Sequence, residues 1–127
     1  MLGDPLLRIP RLLETIRLTR ERQIRLRFSA ITSGLFSAEI PQRLKDGGLD
    51  AICINLNAEN DIQYEEVMKP KENHAFVKVC AFISAATEAG LDVTCAAVAA
   101  PSVNIANVQN VAAALGVRQF KVRPFFP

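Results

Sequence analysis

Apolar positions along this chain alternate between the period of a strand and that of a helix, and residues 50–58 show the strand period most clearly. Ile52, Ile54 and Leu56 fall on one face of an extended segment, and Cys53, Asn55 and Asn57 fall on the other. The segment reads as an inner strand whose aliphatic face is covered by helices. Its opposite face ends in two amides, which need partners if buried. They either tie a loop to backbone groups, the usual fate of buried polar side chains, or offer hydrogen bonds to a ligand.

The rest of the chain follows the same alternation. Gly3-Asp4-Pro5 forms a turn, and a helix is expected from about Pro10, with Leu12, Leu13 and Ile16 as its stripe. Ile24, Leu26, Phe28 and Ala30 alternate with Arg25, Arg27 and Ser29, predicting a half-covered strand that runs into a Thr32-Ser33-Gly34 loop. A short helix over 38–46 is closed by Gly47-Gly48. After the 52–56 strand, a helical turn passes Tyr64 and Val67 and stops at Pro70. Asn73 is placed to cap a helix reaching residue 89, with Phe76, Val77, Cys80 and Ile83 along its stripe and Gly90 as its end. Residues 93–98, small and apolar on both faces, predict a third strand. A helix over 105–115 closes at Gly116, and 117–122 predict a fourth strand ending at Arg123-Pro124.

Strands alternating with glycine-closed helices argue for right-handed βαβ units. The expected fold class is therefore α/β, with parallel βα repeats forming a partial (β/α) barrel of about four strands and four to five helices. A complete eight-stranded barrel takes roughly 250 residues. At 127 residues the chain suits one domain spanning 1–127, with half a barrel or a small open sheet.

Composition narrows the function classes. Half the residues are hydrophobic and 22% are charged, which is ordinary for a globular protein. The net charge of +2 gives no general bias toward nucleic acid. Arg8, Arg11, Arg17, Arg20, Arg22, Arg25 and Arg27 make the start basic, and the simplest reading is a solvated helix face. Pro5, Pro10 and the interleaved acids fit a transit peptide poorly, no signal peptide is visible, and no run reaches the length of a membrane span. Cys53, Cys80 and Cys95 lie far apart, with no metal-ligand spacing, and read as reduced, buried thiols. The lone His74 reads as an early-helix residue. The expected compartment is the cytoplasm.

In parallel α/β folds ligands bind at the carboxyl ends of the strands. Those ends carry Thr32, Ser33, Asn55, Asn57, Ser102 and Arg123, a rim suited to hydrogen-bonding a polar small molecule. Nothing in the spacing pairs Asp4 with Glu59 or Asp61 as catalytic carboxylates. There is no Walker-type loop, nucleophile elbow or histidine metal motif.

Gly3-Asp4-Pro5-Leu6-Leu7 resembles the GEP motif of radical S-adenosylmethionine (radical SAM) enzymes, with Asp4 where Glu is usual. Thr32-Ser33-Gly34, the Gly47-Gly48 turn, Asn55-Leu56-Asn57-Ala58 and the Lys69-Pro70 pair follow in the order of that domain. Leu115-Gly116-Val117 with Lys121-Val122-Arg123 is similar to the radical SAM proteins associated with TatD-type nucleases. The resemblance implies S-adenosylmethionine as cofactor, held by Gly3, Asp4, Pro5, Ser33, Asn55, Asn57, Ser102 and Arg123, and its reductive cleavage as the reaction class. The family's CxxxCxxC loop, which binds a [4Fe–4S] cluster, is not in this sequence, so no cluster is expected on this chain. The expected protein is a truncated or fragmentary radical SAM domain that is not catalytic alone. A non-catalytic interaction module and a half-barrel with an unrelated polar ligand are the alternatives. Open strand edges predict a homodimer, or a missing amino-terminal half as partner.

Overall fold

Residues 3–22 and 25–126 are described by a computed structural model. A 3₁₀ turn, Pro5–Arg8, leads into α1 (Ile9–Arg22), followed by β1 (Ser29–Thr32), α2 (Ile40–Asp46) and β2 (Ala51–Asn55). Then come α3 (Asp61–Met68), α4 (Ala75–Glu88), β3 (Asp92–Val98), α5 (Ile105–Ala114) and β4 (Gln119–Arg123). All four strands are parallel and lie in the order β1-β2-β3-β4. Each crossover steps in the same direction, so right-handed connections place the helices on one face of the sheet. The fold is the expected α/β arrangement of parallel βα repeats.

One-sided cover sets the burial pattern. Ala30, Thr32, Ile52, Ile54, Val93, Cys95 and Ala97 are buried under the helices. The residues between them face away: Ile31, Cys53, Thr94 and Gln119 form one row across the sheet, and Asn55, Ala96 and Lys121 form the next. Ile31 remains 52% exposed. The core lies between sheet and helices, where Leu44, Leu49, Tyr64, Val79, Phe82, Ile83 and Val108 lose essentially all contact with water. Each large aliphatic or aromatic side chain so buried contributes about 1.5–3 kcal/mol.

Several boundaries differ from the sequence expectation, each for a local reason. Helical structure starts at Pro5 rather than Pro10, because the Asp4 carboxylate accepts the Leu6 N–H at 3.0 Å and caps the turn. Pro10 then falls in the first turn of α1, where its missing N–H is tolerated. β1 begins at Ser29, and Arg25 to Phe28 are not strand; Ile24 lies outside the described residues. The Phe28 N–H donates to the Asp50 carboxylate while its carbonyl accepts the Asp50 and Ala51 N–H groups, so a side chain replaces the ladder on its N–H side. Thr32 consequently belongs to the strand. β4 starts two residues later than expected and includes Arg123.

The α4 stripe is also rotated: Ala75, Val79, Phe82, Ile83 and Ala86 are buried, and Val77 is exposed. His74, not Asn73, is the N-cap. It sits in the left-handed region at φ 56° without a side-chain cap, so it precedes the helix instead of lying within it.

Gly47-Gly48 does more than end α2. A Cβ on Gly47 would overlap Leu13 of α1, and one on Gly48 would meet Ile16 at 3.0 Å, so the pair lets α1 lie against the turn. Arg20 secures this packing with hydrogen bonds of 2.7 Å to the Gly48 carbonyl and to Asp50, its guanidinium 5.1 Å from the Phe28 ring centre. Arg17 pairs with Glu14 and Glu21, and Arg27 with Asp92. Arg17, Arg20 and Arg27 of the basic segment are thus paired with carboxylates of the protein itself. No described helix is long and apolar enough to cross a membrane.

Candidate functional site

The β1 end of the rim is organised by Asp4. One carboxylate oxygen caps the amino-terminal 3₁₀ turn; the other accepts the Thr32 hydroxyl at 2.8 Å and the Ser33 N–H at 2.9 Å. A carboxylate has about four lone-pair sites, so three are filled and one remains for a donor. The Thr32 hydroxyl in turn accepts the Gly34 N–H. Gly34 has φ +76°, and a Cβ there would stand 2.9 Å from Ile54 Cγ2. The loop is pinned against β2 at a distance only glycine permits. Pro5 opens the capped turn, and Gly3, Asp4 and Pro5 border a hollow of about 460 Å³ beside α1.

The two asparagines at the β2 end have separate fates. Asn57 is 6% exposed and left-handed at φ 60°. Its Oδ1 accepts the Val98 N–H at 3.1 Å, and its Nδ2 donates to Met68 Sδ at 3.2 Å. Its own N–H and that of Leu56 both reach the Ala96 carbonyl. Asn57 therefore ties the β2–α3 turn to β3 and α3, the loop-anchoring role open to it from the sequence. Asn55 faces the open side of the sheet and makes no side-chain hydrogen bond among the described residues.

Ser102 stands apart. It is exposed, and its carbonyl accepts the Gln63 side chain at 3.0 Å, which ties the β3–α5 loop to α3. Arg123 crosses β3 to bring Nη2 within 3.7 Å of Cys53 Sγ. Its Nε is buried without a hydrogen-bond partner among the described residues. The structure therefore joins Asp4, Thr32 and Ser33 into one cluster and brings Arg123 over Cys53. It leaves Asn55 free and Asn57 committed, with Ser102 on a different loop. Lys121, Gln119 and Thr94 also line the open face, a trough of about 310 Å³. Their period-two spacing on β4 was the available signal for Gln119 and Lys121.

The cysteines differ from one another. All three are free; Cys95 is buried, whereas Cys53 on the open face and Cys80 on α4 are only half-buried and so depart from the buried reading. Burial pushes the Cys80 thiol up to about 11 and the Cys95 thiol up to about 12. With Cys53 on β2, Cys80 on α4 and Cys95 on β3, the described cysteines do not fit a [4Fe–4S] cluster.

Over 67 residues, 51% of its length, the chain is 33% identical to a probable GTP 3′,8-cyclase from Methanococcus maripaludis (strain C6 / ATCC BAA-1332). The chain resembles a radical SAM enzyme. This match supports the motif resemblance at the level of the radical SAM family and no narrower group. It covers 21% of the archaeal protein, so the chain matches about a fifth of that relative's length. No family model matches the chain.

Proposed function

We propose that this chain forms a four-strand portion of a radical SAM-type (β/α) barrel and contributes part of an S-adenosylmethionine pocket. Asp4 takes the methionyl amino group and Asn55 a ribose hydroxyl. The chain binds the cofactor without carrying out cluster chemistry through its own cysteines. The supporting observation is the sequential parallel sheet with every helix on one face, which leaves a polar face and rim open in a chain similar to a radical SAM enzyme. Three free cysteines suit a reducing compartment such as the cytoplasm. The TatD-associated subgroup is the finer assignment, carried by the late Leu115-to-Arg123 pattern.

Calorimetric titration of S-adenosylmethionine into the chain tests this reading. Asn55→Leu should weaken binding by roughly fivefold or more, the scale of one lost hydrogen bond. No saturable heat at millimolar ligand, or equal affinity in the variant, refutes the reading.

A second reading, a protein-interaction module, is favoured by one observation. Among the described residues β1 pairs only with β2, which leaves its other edge open, and Ile31 is exposed beside it. Self-association through this edge gives a homodimer by sedimentation that Ile31→Lys returns to monomer; a monomeric wild type counts against it.

A further inference from the structure

Positive charge on the open sheet face exceeds what the protein itself neutralises. Arg27 and Asp92 pair at the amino-terminal end of the sheet. Lys121 and Arg123, two residues apart and therefore on the same face of β4, have no carboxylate within ion-pair distance among the described residues. Arg123 is anchored over Cys53 by a weak contact, while its buried Nε lacks an acceptor. A buried guanidinium N–H is costly to leave unmatched, and no described residue supplies an acceptor for this one. Next to it, Thr94 Oγ1 donates to Gln119 Oε1 at 3.0 Å, which leaves the Gln119 amide N–H₂ to donate outward. The trough over these groups, about 310 Å³, is large enough for a small ligand.

We propose that the open face binds a small-molecule anion, phosphate- or carboxylate-bearing, clamped by Arg123 and Lys121 over the Gln119 amide. The inference rests on reading this face as a ligand-binding surface and names the class of substrate it takes. Two unpaired cations exceed what a single amino-acid carboxylate requires, which points to a ligand with more than one anionic group. Arg27 adds no free charge, because Asp92 already holds it.

The test uses the whole chain without S-adenosylmethionine. Inorganic pyrophosphate and citrate are titrated separately at constant ionic strength, with binding followed by calorimetry and by the Thr94 and Gln119 amide resonances. Saturable binding is expected, and the tighter of the two probes assigns phosphate or carboxylate chemistry. Arg123→Gln and Lys121→Gln should each weaken it about fivefold or more, as loss of a charge-assisted hydrogen bond does. Arg43→Gln, exposed on α2 beyond the covered face, should leave it unchanged. If Arg123→Gln disturbs folding, Lys121→Gln decides alone, because that side chain is exposed. Absence of saturable binding, full affinity in Lys121→Gln, or an equal loss in Arg43→Gln overturns the proposal. Anion binding retained without S-adenosylmethionine binding refutes only the cofactor reading; the reverse result refutes only this one.

Discussion

Replacing Asn57 separates anchoring from ligand binding. The side chain accepts the Val98 N–H at 3.1 Å, and the backbone at φ 60° is one that Asn adopts far more readily than a branched residue. Asn57→Leu removes the acceptor, leaving a largely buried amide unmatched at a cost of about 1–3 kcal/mol. It also forces Leu into the left-handed region, for about 1–2 kcal/mol more. The expected loss is therefore about 2–5 kcal/mol, a large share of the 5–15 kcal/mol typical of a domain. Asn57→Gly keeps the backbone conformation at no steric cost, so only the hydrogen-bond part, about 1–3 kcal/mol, should be lost. Asn57→Asp keeps an acceptor for Val98 and should be the mildest of the three. Urea unfolding of the three variants, with slopes compared to confirm two-state behaviour, gives the order Leu, then Gly, then Asp. Leu and Gly variants within about 0.5 kcal/mol of wild type, the range of an ordinary surface substitution, would refute the anchoring role.

Gly34→Ala should destabilise by about 2–5 kcal/mol in the same assay, combining left-handed strain with overpacking against Ile54; a neutral effect would show that the loop has room to move. The Phe28 N–H, joined by the Arg20 charge, holds the Asp50 carboxyl below its ordinary 3.8. A depressed folded value adds stability that is present above pH 3.8 and lost as pH falls through the folded pKa. Acid titration of stability should therefore be shallower in Asp50→Asn than in wild type, and parallel curves would contradict this. Iodoacetamide at neutral pH should label Cys53 on the open face while Cys95 reacts only after unfolding, as peptide mass spectrometry would register; native labelling of Cys95 at the Cys53 rate would contradict its burial.

What the sequence disclosed follows from which interactions are local. The alternation at Ile52 and Ile54 against Cys53 and Asn55 was legible because β2 is covered on one side only. β3 was ambiguous for the opposite reason. Ala96 faces the open side yet is fully buried, in register between Asn55 and Lys121, so a small residue there reads the same under a helix or between neighbouring side chains. The start of helical structure at Pro5 depends on Asp4, whose carboxylate also reaches Thr32 and Ser33 some 28 and 29 residues away. The Arg123 contact with Cys53 spans 70 positions. Such partners have no signature in local spacing. The choice between anchor and ligand group at Asn55 and Asn57 needed the left-handed turn, which a residue pattern does not reveal.

The central claim, that the strand ends and open face form part of an S-adenosylmethionine pocket, is tested most directly by amide chemical-shift mapping of the chain with S-adenosylmethionine. The account predicts saturable shifts confined to the Asp4–Ser33 cluster and the residues around Asn55, with the solvent-facing sides of α2 and α5 unmoved. Saturable shifts centred on those helices, or none at millimolar ligand, would contradict it.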